Sequence, residues 1–298
     1  MEGLVDLHRH LDGSLRLSTL SEFARADGVQ VPEALCFFPG MGLDQALARF
    51  AFTLGRLNTP DRVARDAAEI CEDAARDGVS TLEIRFGPQL HEGSRPEDYI
   101  DAALEGVDGR AGLILCALYG DSPVLIDTLV ALSRSRPGVV GIDLAGGPLP
   151  THRWSLADYG PAFQRAQQQG LGTTVHAGEG RSADEIRTAI EVLGARRIGH
   201  GTTLLDDPDL VELIREREIC IEACVTSNWH VGATVVLDTH PLPLWLDLEI
   251  DVCICTDNVL LSSVDASEEY RRAAELPGMS PRLLERALEA GHRSRFTR

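Results

Sequence analysis

Eight short apolar runs alternate with amphipathic stretches along this chain, and the alternation limits the folds available to it. The runs predict β-strands, several of them rich in β-branched residues: Leu4–Leu7, Ser80–Arg85, Leu113–Leu118, Val139–Leu144, Gly172–His176, Arg197–Gly199, Ile219–Ala223 and Val252–Thr256. Helical patterns lie between most of them: Thr59–Arg76, Pro96–Val107, Pro123–Arg134, Leu156–Gln169, Ala183–Leu193 and Pro208–Arg217. The pattern therefore predicts an α/β fold, a closed (β/α)8 TIM-type barrel that takes up residues 1–298 as one domain.

An open doubly wound sheet shows the same alternation and is the alternative fold. Such a sheet usually has a glycine-rich phosphate-binding turn after its first strand, whereas here that position holds His8, Arg9 and His10. The segment 14–57 is longer than a simple connection between strand and helix. We expect it to form two extra helices beside the barrel mouth, between the first and second strands.

Charge and cysteine content indicate the setting in which the protein works. A net charge of −18 opposes binding to the phosphate backbone of nucleic acids. No apolar run approaches the roughly 20 residues of a membrane helix, and the N-terminal residues lack a signal-peptide pattern. The seven cysteines are odd in number and never spaced C-x-x-C, which favours a reducing cytoplasm. The sequence specifies no oligomeric state, and the expected partner is a small-molecule substrate.

The chain has no lysine: all 28 basic residues are arginine. This excludes a Schiff-base nucleophile, a pyridoxal phosphate anchor, and the lysines of P-loops and kinases. A carbamylated lysine bridging two metal ions is excluded for the same reason. Chemistry must therefore use His, Asp, Glu, Cys or a metal ion.

Four side chains follow predicted strands in a pattern that suits a metal ion. His8 and His10 are two residues apart at the end of the first strand, so both point to one face. His176 closes the fifth strand and Asp257 follows the eighth. In a closed barrel these ends meet at the carboxyl face, where barrel active sites lie. Nitrogen and oxygen ligands without thiols suit one catalytic Zn²⁺ per chain, with Fe²⁺ and Mn²⁺ as alternatives.

Glu179 and His200 follow the fifth and sixth strands at the same rim. Gly178 precedes the glutamate and glycines flank the histidine, so the backbone can approach a ligand closely at both places. A carboxyl that donates a proton and an imidazole that receives one from water are the minimum for metal-assisted hydrolysis. The two residues are therefore predicted to be catalytic.

Several motifs together resemble the adenosine deaminase family, from about residue 4 to residue 296. They occur in the family's order: Leu7-His8-Arg9-His10-Leu11-Asp12-Gly13, Leu82-Glu83-Ile84-Arg85-Phe86, Gly141-Ile142-Asp143-Leu144-Ala145-Gly146, Val175-His176-Ala177-Gly178-Glu179, Arg197-Ile198-Gly199-His200-Gly201-Thr202, Cys224-Val225-Thr226-Ser227-Asn228, His240-Pro241-Leu242 and Thr256-Asp257. The resemblance implies a mononuclear zinc (β/α)8 barrel that replaces the amino group of a purine by an oxo group.

The resemblance also implies a role for each matched residue. Glu179 would protonate ring nitrogen N1, and His200 would take a proton from the attacking water and stabilise the developing charge. Gly146 would contact N3 through its backbone. Asp12 would bind the ribose 5′-hydroxyl, although a turn-capping role before the following glycine is an equal alternative.

Three departures from the family pattern concern the substrate. Asn258 stands where a second carboxylate that reads purine N7 is usual, Gly147-Pro148 replaces an acidic pair, and Val225 replaces a common proline. An asparagine can donate to N7 or accept from a substrate N–H. We therefore expect deamination of a 6-aminopurine nucleoside such as adenosine. The alternatives are another amino-heterocycle (an N6-substituted adenine, an aminofutalosine-type nucleoside or a pterin), hydrolysis of an amide or ester, or a barrel that only binds a ligand.

Overall fold

The computed structural model describes residues 3–297, and within them eight strands form one parallel sheet in sequential order. Their bounds are β1 Leu4–His10, β2 Val79–Phe86, β3 Gly112–Leu118, β4 Val139–Ala145, β5 Gly172–Ala177, β6 Arg197–His200, β7 Cys220–Ala223 and β8 Asp251–Ile254. All eight predicted strands are present, with ends shifted by a few residues.

The sheet closes on itself where β1 meets the segment after β8. The His10 N–H donates to the Asp257 carbonyl over 2.7 Å, and the Asp257 N–H donates to the His8 carbonyl over 2.8 Å. The two ends of the sheet are thereby joined into a nearly closed (β/α)8 barrel. This confirms the barrel and rejects the open sheet.

Twelve α-helices surround the barrel in the described part of the chain. Their bounds are α1 Leu17–Ala26, α2 Leu43–Leu54, α3 Pro60–Arg76, α4 Pro96–Val107, α5 Pro123–Ser133, α6 Gly160–Gln168, α7 Ala183–Glu191, α8 Pro208–Glu216, α9 Val225–His230, α10 Leu242–Asp247, α11 Ala266–Glu275 and α12 Pro281–Ser294. The extra helices predicted between the first two strands are α1 and α2. The predicted helix over 156–169 is wrong at its start, where Leu156–Tyr159 forms a 3-10 turn before α6.

Proline sets the start of many of these helices. Pro60, Pro96, Pro123 and Pro208 each occupy the first helical position, where a missing N–H costs no hydrogen bond and the fixed φ suits the helix. At α3 the preceding Thr59 side chain also accepts from a backbone N–H of the first turn. The amino ends of these helices are thus fixed by local sequence.

Phe296 packs against the bottom of the barrel, where β5 and β6 begin. The Phe296 ring lies 3.6 Å from the Arg197 guanidinium carbon, a cation–π contact. It also packs on Gly172, where an added Cβ would lie 2.1 Å from the ring. The opposite end of the barrel, at the carboxyl ends of the strands, stays open.

No helix between residues 3 and 297 combines the length and the apolar character that crossing a membrane requires.

Candidate active site

The four predicted metal ligands meet at the carboxyl end of the barrel. His8 Nε2 lies 3.5 Å from Asp257 Oδ1, and His10 Nε2 lies 3.4 Å from the same oxygen. His10 Nε2 lies 3.2 Å from His176 Nε2. Two donor atoms bound about 2.1 Å from one tetrahedral ion lie roughly 3.4 Å apart, so these separations fit a single ion.

One orphaned atom supports the same interpretation. His8 is fully buried and its Nε2, which faces this cluster, has no hydrogen-bond partner. A buried polar atom without a partner is costly unless a ligand satisfies it. Donor atoms of His8, His10 and Asp257 form one group of metal-ligand spacing, and those of His8, His176 and His200 form another. The cluster can therefore hold a divalent metal ion.

Buried carboxylates orient two of the imidazoles. His8 Nδ1 donates to Glu222 Oε2 over 2.6 Å, and His176 Nδ1 lies 3.1 Å from Asp143 Oδ2. The Arg85 guanidinium, itself fully buried, joins the two acids at 2.9 and 3.0 Å. Such carboxylates fix the tautomer of a ligating histidine and raise its basicity. Each imidazole thus turns its Nε2 toward the cluster.

Sequence reasoning assigned no role to Glu222, and none to Asp143 beyond its place in a motif. The available signal was a single acid inside an otherwise apolar strand, as in Ile219–Ala223. A charged residue in such a strand is rarely buried without a partner. That partner could not be named without the barrel geometry.

Backbone conformation aims two side chains at the cluster. Asp257 and His200 have φ values of 60° and 70°, a left-handed region that non-glycine residues rarely enter. Such strain is concentrated at functional sites. The Asp257 carboxylate also accepts a hydrogen bond from Ser227 Oγ over 2.5 Å, which fixes its second oxygen. Its first oxygen remains directed at His8 and His10.

Glu179 and His200 lie together beside the cluster. Glu179 Oε1 is 3.7 Å from His200 Nε2, and both side chains are almost fully buried. Burial raises the pKa of Glu179 to about 7, because an apolar environment disfavours the carboxylate. Burial lowers the pKa of His200 well below its usual value. The structure therefore pairs an acid that can hold its proton near neutrality with a neutral imidazole.

A chain of hydrogen bonds fixes the His200 ring from behind. The Leu242 N–H donates to His240 Nδ1 over 3.2 Å, so the neutral His240 ring carries its proton on Nε2. That nitrogen lies 3.1 Å from Asn228 Oδ1, which leaves Asn228 Nδ2 to donate to His200 Nδ1 over 2.9 Å. His200 Nδ1 is thus an acceptor, and the proton of the neutral ring sits on Nε2. Neither Asn228 nor His240 was predicted as a site residue, although both lie in motifs that resemble the adenosine deaminase family.

A cavity of about 310 Å³ opens above these groups. Eight of the nine predicted site residues line it: His10, Asp12, Gly146, His176, Glu179, His200, Asp257 and Asn258. The ninth, His8, lies buried behind them. Burial raises the pKa of Asp12 to about 6, and its Oδ1 has no partner. Asn258 Oδ1 is also unpartnered and lies against Gly13, where an added Cβ would come within 2.1 Å of it.

The outer wall of the cavity is apolar and comes largely from the extra helix α2. The wall residues are Leu43, Ala46, Leu47, Phe50, Ala51 and Leu54 of α2, with Phe37, Leu90, Leu118 and Val231. An apolar pocket with a few convergent polar groups is the usual form of a small-molecule site. The expected placement beside the mouth is confirmed for α2, whereas no described residue of α1 lines the cavity.

Comparison with known proteins places this geometry in a family. The model of the family described as adenosine deaminase matches residues 4–298. The adenosine deaminase of Enterococcus faecalis is 32% identical over 289 residues, which cover 91% of this chain and 85% of that enzyme. A longer relative from Dictyostelium discoideum is 33% identical over 295 residues, which cover 91% of this chain but 37% of the relative.

Solved structures agree with the sequence comparison. The adenine deaminase of Arthrobacter aurescens superposes with a TM-score of 0.90 at 23% identity, covering 100% of this chain and 95% of that one, which shows the shared fold. The N6-mAMP deaminase of Arabidopsis superposes with a TM-score of 0.87 at 25% identity, covering 99% of this chain and 94% of that one. The chain belongs to the adenosine deaminase family.

Proposed function

We propose that the chain is a hydrolytic deaminase that converts a 6-aminopurine nucleoside such as adenosine, or a close relative, to its 6-oxo product and ammonia. The observation that carries the proposal is the placement of a buried acid, Glu179, beside a four-ligand metal cluster in one cavity. Family membership supports the same reaction. Hydrolysis of an amide or ester has no need of an acid that can protonate a heterocycle, so that alternative is less favoured.

His8, His10, His176 and Asp257 are proposed to hold one Zn²⁺. The donor set is three imidazole nitrogens and one carboxylate oxygen, which is the chemistry zinc accepts in catalytic sites. When bound, zinc would supply Lewis-acid activation of water, whose pKa falls to about 7 under such activation. Glu222 and Asp143 keep the imidazoles correctly oriented for this task.

Glu179 is proposed as the proton donor to purine N1. Because burial keeps its carboxyl protonated near neutrality, the residue can give a proton to a ring nitrogen and make the neighbouring C6 electrophilic. Water then adds at C6: one of its protons passes to the amino group, which leaves as ammonia, and the other restores the Glu179 carboxyl, while the N1–H stays in the 6-oxo product.

His200 is proposed as the group that faces the attacking oxygen. The family resemblance implies that its imidazole takes a proton from water. The chain through Asn228 favours a different division of labour, because it places the resting proton on Nε2. In that tautomer His200 donates a hydrogen bond to the oxygen as negative charge develops on it.

The other cavity residues are proposed to bind the substrate. The unpartnered Asp12 Oδ1 can accept from a sugar hydroxyl, and Gly146 can contact N3. Because Asn258 Oδ1 packs against Gly13, its Nδ2 is the amide atom left to donate to an unprotonated N7. This arrangement suits a purine.

The charge of the cavity favours a nucleoside over a nucleotide. In the part of the chain that the structure describes, no arginine lines the cavity, and the sequence has no lysine. A 5′-phosphate beside Asp12 would meet a carboxylate and an apolar wall, and no arginine or lysine among the lining residues would pair with it. The Arabidopsis neighbour, by contrast, is named as a deaminase of a nucleotide.

The proposal is tested by measuring ammonia release from adenosine, AMP, adenine, N6-methyladenosine and a pterin. We expect adenosine to have the highest kcat/KM and AMP a value at least tenfold lower. Ammonia from the pterin alone would remove the nucleoside from the proposal, and no ammonia from any compound would overturn deamination. We also propose a reducing, cytoplasmic setting, because all seven cysteines are free thiols.

A further inference from the structure

Arg181 joins the two loops that carry Glu179 and Gly146. Its Nε lies 3.1 and 3.0 Å from the two carboxylate oxygens of Glu185, which anchors the side chain to α7. The far end of the guanidinium reaches Glu179 Oε2 at 3.5 Å and the Gly146 carbonyl at 3.4 Å. One cation thus contacts the proposed acid, the loop after β4 and the first turn of α7.

The space for this guanidinium depends on Gly147. A Cβ at residue 147 would lie 2.8 Å from Arg181 Nη1 and 2.9 Å from its Cζ, closer than real contacts allow. The φ of Gly147 lies outside the left-handed region, so the position needs glycine for room and not for backbone conformation. The Gly147-Pro148 departure noted in the sequence is therefore linked in space to Arg181.

We propose that Arg181 is a positioning residue for proton transfer, an inference that rests on the proposed deaminase function. A guanidinium has only donors, so Glu179 Oε2 beside it must act as an acceptor. The transferable proton is then carried on Oε1, the oxygen nearer His200. Arg181 in this way selects which oxygen of the acid delivers the proton.

The same cation acts on the transfer step itself. The Oε1–H bond of Glu179 breaks, an N–H bond forms at purine N1, and the electron pair stays on the carboxylate. That new negative charge arises 3.5 Å from Arg181 Nη1 in a mostly buried setting. Because the attraction strengthens only as the proton leaves, Arg181 should raise kcat and have little effect on KM.

The test compares five variants by kcat and KM for ammonia release from adenosine. R181M should lower kcat by about 10–100-fold with KM within about twofold, and R181K should restore most of the loss. G147A should lower kcat in the same direction by displacing the guanidinium, and the double variant G147A/R181M should be no slower than R181M alone. R187M is the control, because Arg187 is an α7 residue that also forms ion pairs, with Glu191 on the same helix and with Asp207 before α8.

Three results would overturn the proposal while wild-type activity stands: a normal kcat in R181M, a raised KM with normal kcat, or a loss in R187M equal to that in R181M. Should R181M fail to fold, G147A decides alone, and an unchanged kcat there counts against the proposal. Absence of ammonia from wild-type protein would instead overturn the deaminase function and this inference with it.

Discussion

Replacing Glu222 by glutamine tests how the metal cluster is held in place. Glu222 accepts from His8 Nδ1 over 2.6 Å and lies 2.9 Å from Arg85 and 2.7 Å from Arg197. All four side chains are buried, so water cannot replace the lost carboxylate. The glutamine keeps the volume of the side chain but removes the negative charge that makes His8 a strong metal ligand.

Two magnitudes follow from these contacts. Loss of a carboxylate behind a ligating histidine weakens metal binding by about 10–100-fold, or about 1.4–2.7 kcal/mol. Breaking a buried ion pair costs about 3–5 kcal/mol of folding free energy. In the variant, Arg85 still pairs with Asp143 and Arg197 still pairs with Glu83. We therefore expect a loss of folding free energy at the lower end of that range.

The two effects are measured separately by zinc titration against a competing chelator and by urea unfolding of metal-free protein. E83Q is the matched control, because Glu83 pairs with Arg197 at 2.5 Å but contacts none of the metal ligands. E83Q should destabilise the fold and leave zinc affinity unchanged. Wild-type affinity in E222Q, or an equal loss in E83Q, would refute the proposed role of Glu222.

Four further predictions concern the catalytic and substrate groups. E179Q should lower kcat by about 10²–10⁴-fold with metal content retained, and a loss of metal would contradict its assignment as the acid. Because the pKa of Glu179 is raised to about 7 and only the protonated carboxyl donates, wild-type kcat/KM should fall as pH rises through that value, and a rise there would contradict the role. H200Q should retain more activity than H200A, since glutamine can still donate a hydrogen bond; equal losses would favour a base. N258D should change the ratio of kcat/KM for adenosine to that for other amino-heterocycles, and an unchanged ratio would remove Asn258 from N7 recognition.

The barrel and the convergence of the four proposed ligands could be predicted from the sequence, because both depend on local patterns. His8 and His10 share a strand face by their spacing alone, and the barrel topology brings the ends of β5 and β8 to the same rim. Strand ends were less accurate: β8 ends at Ile254, because Thr256 turns out of the ladder and its Oγ1 donates to Asp6 over 2.6 Å.

Contacts between distant elements could not be predicted in the same way. The pairing of Glu222 with His8 joins residues 214 positions apart in the chain, and no spacing rule connects them. The Arg181 guanidinium occupies space that is free only because Gly147, in another loop, has no side chain. Neither loop sequence by itself predicts this contact. The tautomer of His200 follows from a backbone N–H beside His240, which only the folded chain reveals.

Metal content and ammonia release measured on the same purified sample test the proposed chemistry most directly. We expect about one zinc ion per chain, loss of adenosine deamination on chelation, and recovery when zinc is returned. H176A and D257A should lose both metal and activity, because a catalytic zinc ion has few protein ligands. Full activity in metal-free protein, or full metal occupancy in both variants, would contradict the assignment of this cluster as the catalytic metal site.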